Sequence, residues 1–142
     1  MASFPSILDA LKGLLARKAA VLQWGANSVA AGVTTRYLFP CYEDLLAQTS
    51  PIQVRVTRDG VLADFYIQHG NPAGNGNSIV YTVRVNGVPT ALTVSLASTG
   101  VTGSDTANEV EVAAGDLVDV EATKAVSIGA SPTNIASSLG FR

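Results

Sequence analysis

At 142 residues the chain is long enough for one compact domain, and a second is not expected. Charged residues make up 14%, against about 25% in an average globular protein, while apolar residues reach 47% and mean hydropathy is +0.29. The formal net charge of -2 excludes a globally basic nucleic-acid binder, the single cysteine excludes an internal disulfide, and no apolar run approaches the roughly 18 residues of a membrane span.

With so little charge, the surface must be covered largely by Ser, Thr, Asn, Gly and Ala. The apolar excess then predicts that part of it is buried against other copies of the chain. Charge is also unevenly placed. Residues 1–22 carry Lys12, Arg17 and Lys18 against Asp9, whereas residues 85–142 carry Lys124 and Arg142 against six acids, so the two ends are expected to meet different environments. The N-terminus lacks a basic head followed by an unbroken apolar core, and secretion by the usual route is not expected.

Residues 1–19 read as an arm, helical or extended. Ser6 and Asp9 resemble a capping box with Asp in place of Glu, and Ile7, Leu8, Leu11, Leu14 and Leu15 follow at helical spacing. Gly13 costs a helix about 1 kcal/mol relative to Ala, so the arm needs a surface on which to bury its leucines. That surface is either its own β-domain, residues 20–142, or a partner. From Val21 to Leu38 the signal is mixed and reads as a linker. A strand from Thr34 to Phe39 closes it, ended by Pro40, and one helical turn is expected from Glu43 to Gln48 before Ser50-Pro51.

Period-two alternation then takes over. Ile52, Val54 and Val56 oppose Gln53, Arg55 and Thr57, and Asp59-Gly60 is the expected hairpin turn into a strand from Leu62 to Gln68 that presents Phe65 and Ile67 to the core. After a loop from Gly70 to Ser78, the strand from Ile79 to Val85 turns at Asn86-Gly87 into Leu92, Val94 and Leu96, with Pro89 placed at a strand start or an edge. A small-residue loop from Ser98 to Ala107 leads to Val110 and Val112, a turn at Ala114-Gly115-Asp116, then Val118 and Val120. A last strand carries Ile135, Leu139 and Phe141, after a turn at Ser131-Pro132. About eight such strands predict an all-β, antiparallel, jelly-roll-type β-sandwich.

Chemically useful groups are few. The loop Gly74-Asn75-Gly76-Asn77 lacks the Gly-Lys-Ser/Thr of a phosphate cradle and leads into a strand, where such a site needs a helix N-terminus. His69 is the one candidate general base, and without a Gly-x-Ser-x-Gly elbow it reads as a solvated loop histidine. Cys41 reads as a small buried apolar residue. Asp116, Asp119 and Glu121 have the residue types of a calcium site, but their spacing is that of a solvated outer strand face. Tyr37, Tyr42, Tyr66, Tyr81 and Trp24 are candidates for a carbohydrate groove, yet are too scattered to separate from core and interface packing. No catalytic, cofactor-binding or metal-binding residue is expected.

Two segments carry a family resemblance. Val83-Arg84-Val85-Asn86-Gly87-Val88-Pro89-Thr90-Ala91-Leu92-Thr93-Val94 and Glu109-Val110-Glu111-Val112-Ala113-Ala114-Gly115-Asp116-Leu117-Val118 resemble the trimeric jelly-roll domains of tailed-bacteriophage decoration, or cement, proteins and fibre heads, and of complement-like bacterial surface proteins. The resemblance covers roughly residues 52–142 and supplies no catalytic residue. The sequence contains neither Gly-X-Y repeats nor long heptads, which favours the cement type over a stalked surface protein or a full tail fibre.

The resemblance therefore implies a structural virion protein on the outer capsid surface, made in the host cytoplasm. It would act as a homotrimer that binds the major capsid protein, with no nucleic-acid or membrane partner. Phe4, Ile7, Leu8, Leu11 and Leu15 of the arm are the expected contacts to the shell or a neighbouring trimer, each contributing about 1.5–3 kcal/mol if fully buried. The alternative is a receptor- or glycan-binding head of a phage head or tail fibre.

Overall fold

Alternating apolar side chains, read above from residue 52 onward, organise nearly all of the chain that the computed structural model describes, namely residues 20–29, 34–41, 47–74, 78–124 and 132–142. The arm with its five contact residues, Tyr42 and most of the helical turn expected from Glu43 lie outside these residues. The strands are β1 (Ala20–Ser28), β2 (Thr35–Tyr37), β3 (Phe39–Pro40), β4 (Val54–Arg55), β5 (Gly60–Gln68), β6 (Ile79–Val85), β7 (Val88–Leu96), β8 (Thr102–Asp105), β9 (Val110–Val112), β10 (Leu117–Lys124) and β11 (Thr133–Phe141).

They form two antiparallel sheets. Sheet A runs β3-β1-β11-β5-β8, with β9 also paired to β5, and sheet B runs β2-β10-β6-β7, with β4 also paired to β10. The all-β sandwich expected from the sequence is the observed architecture. Its core lies between the sheets: Trp24, Ala26, Leu62, Phe65, Ile67, Ile135 and Leu139 from sheet A face Ile79, Tyr81, Val83, Leu92, Val94, Val118, Val120 and Ala122 from sheet B. Burying large apolar side chains of this kind contributes roughly 1.5–3 kcal/mol each and dominates the stability.

The Asn86-Gly87 hairpin forms as expected. Both residues sit at positive φ, 53° and 79°, as a type I′ turn requires, and Pro89 falls near the start of the edge strand β7. Where β6 and β7 lose register between Thr82 and Arg84, the Thr90 hydroxyl donates to the Val83 carbonyl and accepts from Leu92 N–H, closing the gap.

Four expectations are corrected. The linker expected from Val21 contains a nine-residue strand, β1, which pairs along its length with β11. The strand expected from Thr34 to Phe39 divides at buried Leu38, so that β2 joins sheet B and β3 joins sheet A, and Pro40 lies within β3. Asp59-Gly60 does not close a hairpin, because β4 pairs with β10 of sheet B whereas β5 belongs to sheet A. Gly60 is needed there for close approach: a Cβ would come within 2.5 Å of Phe141 Cε2 and 2.8 Å of the Arg142 carbonyl oxygen. The loop expected from Ser98 to Ala107 contains β8, paired with β5.

Candidate functional site

Among the described residues, polar side chains gather on the outer face of sheet B, at the boundary between β5 and β6, on the outer face of sheet A and in the turns before β9 and β10.

On sheet B, Arg84 and Asp119 are direct cross-strand neighbours on β6 and β10 and point away from the core. Arg84 Nε donates to Asp119 Oδ1 at 2.7 Å and Nη2 to Oδ2 at 3.1 Å, a two-pronged bond that only a guanidinium makes. Its Nη1 reaches Glu121 Oε2 at 3.1 Å and the Tyr37 hydroxyl at 3.4 Å, and its Cζ lies 4.5 Å from the centre of the Tyr37 ring. Gln53 Nε2 adds a bond of 2.9 Å to Asp119 Oδ2. The hydrogen bond from Arg84 to Asp119 is the main reason that the guanidinium pKa is raised above its ordinary value.

The expected solvated face is thus corrected. Asp119 and Glu121 do alternate outward, but Asp119 is 0% exposed, beneath Arg84 and Gln53. Asp116 sits elsewhere, in the turn before β10, where its carboxylate accepts from Asn86 Nδ2 and Ala113 N–H; these bonds hold its carboxyl below the usual range. The three acids share no site, and among the described residues no cluster of three His, Cys, Asp or Glu is placed to hold a metal ion.

His69 follows β5 directly and is buried, 3% exposed, which corrects the solvated reading. Its backbone N–H donates to the Val101 carbonyl, and its Nε2 lies 2.6 Å from the hydroxyl oxygen of Tyr81 on β6, bridging the two sheets. With Tyr81 O–H donating, the arrangement leaves one polar group, Nδ1–H, unpartnered; the reverse polarity leaves both Nδ1 and the Tyr81 proton without partners. The first is favoured, and burial raises the Tyr81 pKa, keeping that proton in place. Burial likewise lowers the His69 pKa to about 4, so the imidazole is neutral at pH 7.

Between pH 6.5 and about 4 the unfolded chain binds a proton at this histidine that the folded chain does not, so stability falls as the pH falls through that window. The loss is of the order of 3 kcal/mol. His69→Phe, compared with the parent chain by urea unfolding at pH 7 and pH 4, is expected to remove this part of the pH dependence. An unchanged dependence would place the imidazole in contact with water.

Cys41, expected to be buried, is exposed, and has positive φ at 63° just after β3. Of the aromatic residues considered for a carbohydrate groove, Trp24 and Tyr81 are in the core and Tyr37 lies under Arg84. Tyr66 alone of the described set is on an open face, 47% exposed, on the outside of sheet A. There a groove of about 580 Å³ is lined by Gln23 of β1, Tyr66 and Gln68 of β5, Thr102 and Ser104 of β8, and Ser138 of β11. Sequence reasoning missed this grouping because its members come from four strands, two of which, β1 and β8, were read as linker and loop.

The resemblance segments also meet. The Asn86-Gly87 turn and the Ala114-Gly115-Asp116 turn interlock: Asn86 N–H donates to the Leu117 carbonyl, Leu117 N–H to Asn86 Oδ1, and Asn86 Nδ2 to Asp116 Oδ1. Compared with known proteins, the chain matches no family model and no curated protein.

Proposed function

We propose that the chain is a structural virion protein, a homotrimer of jelly-roll type that decorates and stabilises the outer surface of a phage capsid, with the arm of residues 1–19 docking on the shell. The observation that carries the non-catalytic part of this reading is the use made of the buried ionisable side chains. Arg84, Asp119, His69, Asp105 and Lys124 each meet a partner inside the chain and serve to hold strands together. Such bonds favour one rigid arrangement of strands, which suits a module that works by area and repetition.

The step to a capsid rests on the resemblance of residues 83–94 and 109–118 and on the apolar pattern of the arm. Three weak arms on one rigid trimer bind multivalently, so modest burial of Phe4, Ile7, Leu8, Leu11 and Leu15 in each arm gives firm attachment. The test is cosedimentation with expanded capsid shells of the full chain and of a chain starting at Ala20, the first residue of β1. The shortened chain keeps every described strand and is expected to fold, yet to lose shell binding. Undiminished binding would place the docking surface on the sandwich itself.

A further inference from the structure

The two outer faces of the sandwich treat their polar side chains in opposite ways. On sheet B, Gln53, Arg84, Asp119, Glu121 and Tyr37 are bonded to one another. On sheet A, the side chains of Gln23, Tyr66, Gln68, Thr102, Ser104 and Ser138 line the groove, and none bonds to another described residue. They are held in position by the ladders beneath them and present their donors and acceptors outward.

Register fixes the layout. Gln23, Ser138, Tyr66 and Ser104 are successive neighbours across β1, β11, β5 and β8, a row about 14 Å long at about 4.8 Å per strand. Ala136, Gln68 and Thr102 form a second row about 7 Å further along the strands. The small side chains of Ser138 and Ala136 on β11 make a floor between Gln23 on one side and Tyr66 with Gln68 on the other.

We propose that this groove binds a neutral saccharide. Tyr66 offers an exposed ring, whose flat apolar face suits the C–H face of a pyranose and whose hydroxyl remains at the wet edge. The carboxamides of Gln23 and Gln68 each set a donor beside an acceptor, the pattern that adjacent sugar hydroxyls match, and Thr102, Ser104 and Ser138 add hydroxyls along the same rows. Among the described residues no Asp, Glu, Lys, Arg or His lines the groove, so none of them there selects a phosphate, sulfate or carboxylate. The floor strands β11 and β5 are paired on both edges, so no backbone groups remain there for an added peptide strand. The length of the first row fits a short oligosaccharide better than one sugar ring. The site is independent of the capsid reading and would serve a decoration protein or any other module alike.

The test uses the full chain with four neutral hexasaccharides, maltohexaose, cellohexaose, hexa-N-acetylchitohexaose and mannohexaose, and a heparin hexasaccharide as the charged control, each titrated to millimolar concentration by calorimetry. At least one neutral probe is expected to bind saturably, more tightly than the charged one. Tyr66→Ala should weaken it about tenfold or more, and Tyr66→Trp should retain it, both with the parent melting temperature. Binding by none of the four neutral probes, equal binding by Tyr66→Ala, or preference for the heparin probe would overturn the proposal. So would a fall in mass by light scattering on Tyr66→Ala, which would show that a second copy of the chain occupies the groove.

Discussion

Arg84→Met is expected to cost about 3–5 kcal/mol of stability, because it leaves the fully buried carboxylate of Asp119 without its cation. The methionine replaces the apolar stem of the arginine but none of its bonds to Asp119, Glu121 and Tyr37. Arg84→Lys should also destabilise, since one ammonium does not reproduce the two-pronged bond to Asp119 while stacking on the Tyr37 ring. The double variant Arg84→Met/Asp119→Leu should recover most of the loss, because an apolar pair leaves no unpaired charge. Urea midpoints at constant slope measure all three. A loss below about 1 kcal/mol for Arg84→Met would mean that Asp119 is reached by water, and the network would then be a surface feature of little energetic weight.

The second large effect tests β1. Trp24→Ala should cost about 3–5 kcal/mol, since the indole is 1% exposed in the core and its removal leaves a cavity there. Trp24→Phe should cost much less, because it keeps much of the ring and removes an indole N–H that has no hydrogen-bond partner. If Trp24→Ala left the urea midpoint unchanged, β1 would not be part of the folded sandwich, and the domain would begin later in the chain.

These two residues also show how far the sequence was legible. Arg84 lies in the strand whose alternation, Ile79, Tyr81 and Val83, is plain, and the Asn86-Gly87 turn after it is coded by residues that tolerate positive φ. Trp24 lies in a strand that alternates Leu22, Trp24 and Ala26 inward, but Val21 on the outer face and Gly25 in the middle blur the period. In β8 the signal is missing for a different reason. Gly103 faces inward where a Cβ would meet Val94 Cγ1 at 2.7 Å and Leu96 Cδ2 at 2.8 Å, so side chains of the opposite sheet fill the place that an apolar residue would have marked.

Other features depend on pairings that no local pattern reports. Asp59-Gly60 has the composition of a hairpin turn, yet its flanking strands go to different sheets, a choice made by the distant partners β10 and β11. The burial of Asp119 was unreadable because it depends on Gln53, 66 residues earlier, and Arg84, 35 residues earlier. The groove on sheet A was unreadable for the same reason: Gln23 and Ser138 become neighbours only when β1 pairs with β11. Tyr66 was in the aromatic set read from the sequence, and its strand was correctly placed; what the sequence lacked was the polar company around it.

The structural virion reading is tested most directly by electron microscopy of expanded capsid shells incubated with the full chain. The account predicts added density of three-fold symmetry at repeated lattice positions on the outer surface, hundreds of copies per shell, each fitted by three sandwiches and joined to the shell by the arm. A shell without added density, or a few copies confined to the tail or its vertex, would contradict it.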